Sequence, residues 1–170
     1  MRTTTLKGLK KLNNAILEEI KQFGIKKSFL SDSYSYDFDS NAVGWTLIED
    51  DSDEVYNSFL SDRFGYEAGD DDIFFVSLMH EIGHYKTEDD VSDFTYDFCL
   101  KEKDRISEEL GGAIREEEKK KLHYQYFNLP DEFAATAWAM NFIEKHPKKA
   151  RKIRKNLEKA IFEFYDINID

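Results

Sequence analysis

The chain has 170 residues, with 35 acidic against 24 basic side chains and a formal net charge of -11. Its 41% hydrophobic and 15% aromatic content is enough to build a core and excludes a wholly disordered chain, while the acidic balance argues against a general nucleic-acid binder. The single cysteine, Cys99, excludes an internal disulfide framework and a Cys-x-x-Cys metal or redox motif, and no apolar run is long enough to span a membrane.

The first 24 residues place Leu6, Leu9, Ile16, Ile20 and Phe23 on one stripe, with Gly24 as a stop signal. This predicts an amphipathic helix rather than a secretory signal, so the expected location is the cytoplasm. Tyr34, Tyr36 and Phe38 alternate, as do Val43, Trp45 and Leu47, which predicts a hairpin turning at Asp39-Ser40-Asn41. A short helix is expected over 53–61. Asp72 is expected to cap a helix running from Ile73 through Met79 to His84 or beyond. Val91, Phe94 and Phe98 suggest a further turn or two of helix. Residues 101–121 read as a charged insert, either a solvated helical hairpin or a mobile segment, within a single 1–170 domain. Pro130 opens a helix over 131–145, and Pro147 opens the last one, with Ile153, Leu157, Ala160, Ile161 and Phe164 in register.

Charge is unevenly spread. Residues 31–97 carry 19 acidic and 2 basic side chains, whereas the first thirty carry 7 basic and 2 acidic. The runs at 49–54 and 70–72 read as connectors and helix starts. Six basic residues between Lys148 and Lys155 read as the wet side of the last helix, leaving nucleic-acid contact a weak alternative. Asp37-x-Asp39-x-Asn41 has Ala42 and Ile48 where a calcium loop needs Gly and Glu, so no EF-hand is expected. Cys99 is expected to be a small buried apolar residue, and His146 a residue at a helix C-terminus.

The chemistry lies in His80-Glu81-Ile82-Gly83-His84. Two histidines four residues apart lie on one helix face and can converge on one zinc ion. Glu81 points about 100° round the helix, away from that stripe, where it can act as the general base. With four His in the chain, the pattern arises by chance in roughly 0.01 of such sequences. A catalytic zinc site needs a third protein ligand. Glu132, in the first turn of its helix, is the better placed. Small residues at 134, 135, 137 and 139 would let that helix come close to the histidine helix. Asp90, six residues after His84, is the alternative. Glu88 shares the face of His84 but lies too far along a straight helix. His123, Tyr124 and Tyr126 are candidate donors to a transition-state oxyanion.

HEIGH followed by Glu132-x-x-Ala135-x-x-Trp138-Ala139 resembles the ImmA/IrrE-type zinc metallopeptidases, with Trp138 where that family has Phe. The resemblance covers about residues 72–143. It implies a gluzincin-like, minimal zincin fold of the α+β class, helix-rich with a small β-sheet. It also implies zinc held by His80, His84 and Glu132, with Glu81 as general base. The expected function is zinc-dependent hydrolysis of a peptide bond in a protein or peptide partner, and in that family the partner is often a regulatory protein. The alternative is a catalytically silent protein of the same fold, whose acidic surface captures a basic partner or mimics nucleic acid.

Overall fold

The computed structural model describes residues 3–48, 51–69 and 72–169. Its elements are α1 (Thr3–Ile20), a 3-10 turn (Lys21–Phe23), β1 (Lys27–Leu30), β2 (Ser35–Asp37), β3 (Ala42–Trp45) and α2 (Asp51–Phe64). They continue with α3 (Ile73–Thr87), a 3-10 turn (Glu88–Asp90), α4 (Asp93–Gly112), α5 (Glu116–Phe127), α6 (Pro130–Lys145) and α7 (Pro147–Ile169). The architecture is helix-rich with one small three-stranded sheet, as the α+β expectation requires. Among the described residues no helix is long and apolar enough to cross a membrane.

Helix α3 is the centre. Every residue from Phe75 to Gly83 is buried, because the sequence there presents no continuous polar face. It packs most extensively against α6, and its other side meets β2 and β3. Helix α1 lies along α7 and against β1, with Leu12, Ile16 and Ile20 fully buried. Leu6 is exposed, so the α1 stripe begins later than its first apolar residue.

The expected hairpin forms: β2 pairs antiparallel with β3, and the turn passes through Asn41 at φ 48, a left-handed conformation that Asn tolerates. The sequence reading did not foresee β1, which pairs in parallel with β3 and makes the strand order β1-β3-β2. All four residues of β3 are buried, as befits a central strand, and β2 is left at the edge beside α3. The indole N–H of Trp45 donates to Asn13 Oδ1 at 2.8 Å, an atom that also accepts from Ser28 Oγ at 3.0 Å. Asn13→Ala should therefore leave a fully buried donor unpaired and cost about 1–3 kcal/mol. A urea unfolding midpoint equal to wild type would contradict that role.

The charged stretch 101–121 lies in a helical hairpin, one of the two forms expected for it. It forms the later part of α4, a short junction and the first half of α5. Cys99, Ile106, Leu122 and Leu129 make a second, smaller core beneath it, so Cys99 is buried as expected. Burying each of the three larger side chains contributes about 1.5–3 kcal/mol, and α5 also packs on α2. Asp72 stands at the start of α3 but does not cap it. Its carboxylate pairs with Arg154 of α7 and accepts from Gly69 N, because its own backbone is already in the helical region. Arg154 thus joins a half-buried ion pair, while Lys148, Arg151, Lys152 and Lys155 are exposed. Helix α2 is longer than the expected 53–61. Glu49, Asp50, Asp70 and Asp71, expected in connectors, lie outside the described residues.

Candidate metal centre

Helix α3 presents His80 and His84 one turn apart, and α6 presents Glu132 in its first turn, behind Pro130. The two helices approach closely because Gly83 has no side chain. A Cβ there would stand 2.2 Å from the carbonyl oxygen of Ala135. Ala135 and Ala139 are fully buried at this contact.

Three ligand-type atoms converge. His80 Nε2 lies 2.9 Å from Glu132 Oε2, His84 Nε2 lies 3.5 Å from the same oxygen, and the two Nε2 atoms are 3.2 Å apart. A tetrahedral ion with bonds of about 2.0–2.2 Å sets its ligand atoms roughly 3.3–3.6 Å apart. The observed triangle is close to one face of such a tetrahedron. His80, His84 and Glu132 thus lie close enough to bind one metal ion. Two imidazoles and a carboxylate form a donor set that suits zinc and several other divalent ions.

The surroundings keep the Glu132 carboxylate ionised, as a metal ligand must be. Burial would push the Glu132 carboxyl up, but the positive character of His84 and His80 outweighs it and holds the group well below the usual carboxylate range. The other carboxylate oxygen, Oε1, meets Lys103 Nζ of α4 at 2.5 Å, and Lys103 also holds Asp131 Oδ2 at 2.5 Å. Burial alone would lower the Lys103 pKa, but the two carboxylates raise it, so the ammonium is permanent. His80 Nδ1 lies 2.8 Å from Thr136 Oγ1, and the Thr136 hydroxyl donates to the backbone oxygen of Glu132 at 3.0 Å.

Glu81 is buried at 7% exposure and lines the same cleft as the ligands. Burial pushes its carboxyl up to about 7, opposed by His80 and Lys103 and assisted by the Glu132 charge. The cleft holds about 720 Å³. Tyr34, Tyr36, Phe38 and Tyr96 line it, and so do Glu88 and Asp93.

The other sequence candidates separate cleanly. Asp90 falls on the exposed 3-10 turn after α3, outside the ligand group, because the chain leaves the helix axis there rather than folding back over the histidines. Tyr124 points away from the cleft and donates to Asp62 of α2 at 3.3 Å, since its position on α5 faces α2. Tyr126, two residues on, lines the cleft beside Glu132. Burial, then the charges of Glu132 and Glu81, push its phenol up, so it remains a donor. His123 lines the cleft as well. His146 sits exposed at the end of α6, against the ring of Phe142.

The sequence reading missed Lys103, Thr136 and Tyr56. Tyr56, on α2, sets its ring edge-on to His80 at 5.7 Å, with its hydroxyl buried beside Thr136. The spacing Glu132-x-x-x-Thr136 was a signal for Thr136, because four residues bring a side chain back over the same helix face. Nothing in the sequence singled out Lys103 from its charged neighbours. Comparison with protein-family models, with curated proteins and with solved structures finds no match to this chain.

Proposed function

We propose that the chain is a zinc-dependent peptidase, with His80, His84 and Glu132 as the zinc ligands and Glu81 as the general base. The observation that carries this reading is the buried triangle of two imidazole nitrogens and one carboxylate oxygen, with a second, separate carboxylate beside it at the floor of a large cleft. A purely structural zinc site is closed by four protein ligands. Here three protein ligands form the group among the described residues, on the wall of an open cleft.

Zinc bound to these residues would supply Lewis acidity and bring the pKa of water toward ~7. Glu81 would take the water's proton and return it to the leaving amine nitrogen. Burial raises the pKa of this carboxyl in the metal-free protein, which favours its holding the proton before return. Tyr126 and His123 would be the cleft donors able to reach a developing oxyanion. Among the described residues strand β2 has a strand partner on one side only, and it contributes Ser35 and Tyr36 to the cleft wall. An extended peptide would lie along that edge by strand addition, its backbone held while side chains enter the aromatic cleft. The substrate class is therefore an unfolded segment or loop of a protein.

Two measurements test this. Metal analysis of purified protein should find about one zinc per chain, lost in His80→Ala and in Glu132→Ala. Undiminished zinc in both variants would remove the site. Zinc-loaded protein should cleave an unstructured labelled protein such as casein, and Glu81→Gln should keep its zinc while losing about 10²–10⁴ in rate. Equal turnover in Glu81→Gln would overturn the hydrolytic mechanism. Retained biological activity in that variant would favour a binding protein instead.

A further inference from the structure

We infer that Thr136 is the positioning residue for His80, selecting the ring tautomer and the ring angle that let Nε2 serve as a metal ligand. The inference rests on the metal centre proposed above and adds a role for a residue outside the ligand set.

The argument is one of proton counting. Thr136 is fully buried, so water does not complete its hydrogen bonding. Its Oγ1 lies 2.8 Å from His80 Nδ1 and 3.0 Å from the backbone oxygen of Glu132, and the Tyr56 hydroxyl beside it can serve its remaining lone pair as a donor. A hydroxyl carries one proton, and a carbonyl oxygen can only accept. With that proton given to Glu132, Oγ1 faces His80 as an acceptor, and Nδ1 must bear the ring proton. The lone pair of a neutral imidazole then lies on Nε2, the atom that faces Glu132 Oε2 and His84 Nε2.

The position of Oγ1 is set by its own helix. Thr136 bonds back to the carbonyl four residues earlier, an ordinary arrangement for Thr in a helix. That carbonyl belongs to Glu132. One turn of α6 thus presents a ligand and, four residues later, the group that aims a second ligand on α3. Glu132 and Thr136 therefore keep their spacing to each other and meet His80 as one unit. Metal-ligating histidines generally need such a partner on the far ring nitrogen, and its loss costs 10–100-fold in affinity or activity.

The test compares Thr136→Val, which has nearly the same volume but no acceptor, with Thr136→Ser, which keeps the hydroxyl. Thr136→Ala serves if the Val variant does not fold. Zinc titration against a competing chelator should show the dissociation constant raised about 10–100-fold in Thr136→Val and close to wild type in Thr136→Ser. In zinc-loaded wild type and Thr136→Ser, the Nδ1–H proton of His80 should give a slowly exchanging NMR resonance, and this should broaden or vanish in Thr136→Val. Melting midpoints of the metal-free proteins supply the control, since a merely structural threonine would lower the midpoint and leave the zinc constant of the folded protein unmoved. Equal zinc constants for wild type and Thr136→Val would overturn the assignment while leaving the metal centre intact. A wild type that holds no zinc would remove the metal centre and this assignment with it.

Discussion

Gly83→Ala should loosen or unfold the protein, against the usual direction of the substitution. In a helix interior Ala is normally favoured over Gly by about 1 kcal/mol. At this position the added Cβ would stand 2.2 Å from the Ala135 carbonyl oxygen, 2.8 Å from its carbon and 2.9 Å from its Cα. All three are backbone atoms, which cannot rotate away as a side chain does, so α6 as a whole must retreat. Overpacking a core costs 1–3 kcal/mol and occasionally more, and a helix-to-helix backbone clash places this variant at ~3 kcal/mol or above. Retreat of α6 also draws Glu132 away from the imidazoles. Urea unfolding should show the loss of stability, and zinc titration the weakened site. Adding Ala135→Gly should not rescue it, because the obstruction is main chain. A midpoint at or above that of wild type would show that the helices do not approach in this way.

The same glycine explains why the site was legible in the sequence. His80 and His84 are spaced by helix geometry, and Gly83 between them admits a second helix with small residues at 135 and 139. Those features are local, so the motif, Glu132 and the α3–α6 contact could all be read from short windows. Pro130 and Pro147 likewise mark the starts of α6 and α7. What remained illegible depends on distant parts of the chain. Strand β1 has only four residues and no clean alternation, and its place is set by parallel pairing with a strand about fifteen residues later. Asp72 looked like a cap because acidic residues favour helix starts, but Arg154, remote in sequence, claims its carboxylate. The 101–121 stretch looked solvated because its charges outnumber its apolar residues. Ile106 within it nonetheless closes a small core with Cys99, Leu122 and Leu129. Lys103 is one charge in that stretch, and only the fold distinguishes it from Lys101 or Lys119.

Lys103→Met is the sharpest probe of that distinction. The ammonium lies 2.5 Å from Asp131 Oδ2 and 2.5 Å from Glu132 Oε1. The lysine side chain is 23% exposed, while the two carboxylates are 8% and 3% exposed. Among the described residues Asp131 Oδ1 is already buried without a hydrogen-bond partner, and the neighbour beside that carboxylate is the neutral thiol of Cys99. Met retains the apolar stem, and the variant therefore removes charge more than volume. Leaving one partner of a buried pair uncompensated costs about 3–5 kcal/mol, the loss expected for the metal-free variant in urea unfolding. Zinc should then stabilise Lys103→Met more than it stabilises wild type, because a dication on the Oε2 side returns the positive charge that Glu132 has lost. The sign is opposite to that for Thr136→Val, where zinc binding weakens: one residue acts on the ligands through charge, the other through aim. Equal stabilisation by zinc in Lys103→Met and wild type would mean that the ammonium and the metal do not share the Glu132 carboxylate. An unchanged metal-free stability would mean that the two acids of α6 find their compensation elsewhere.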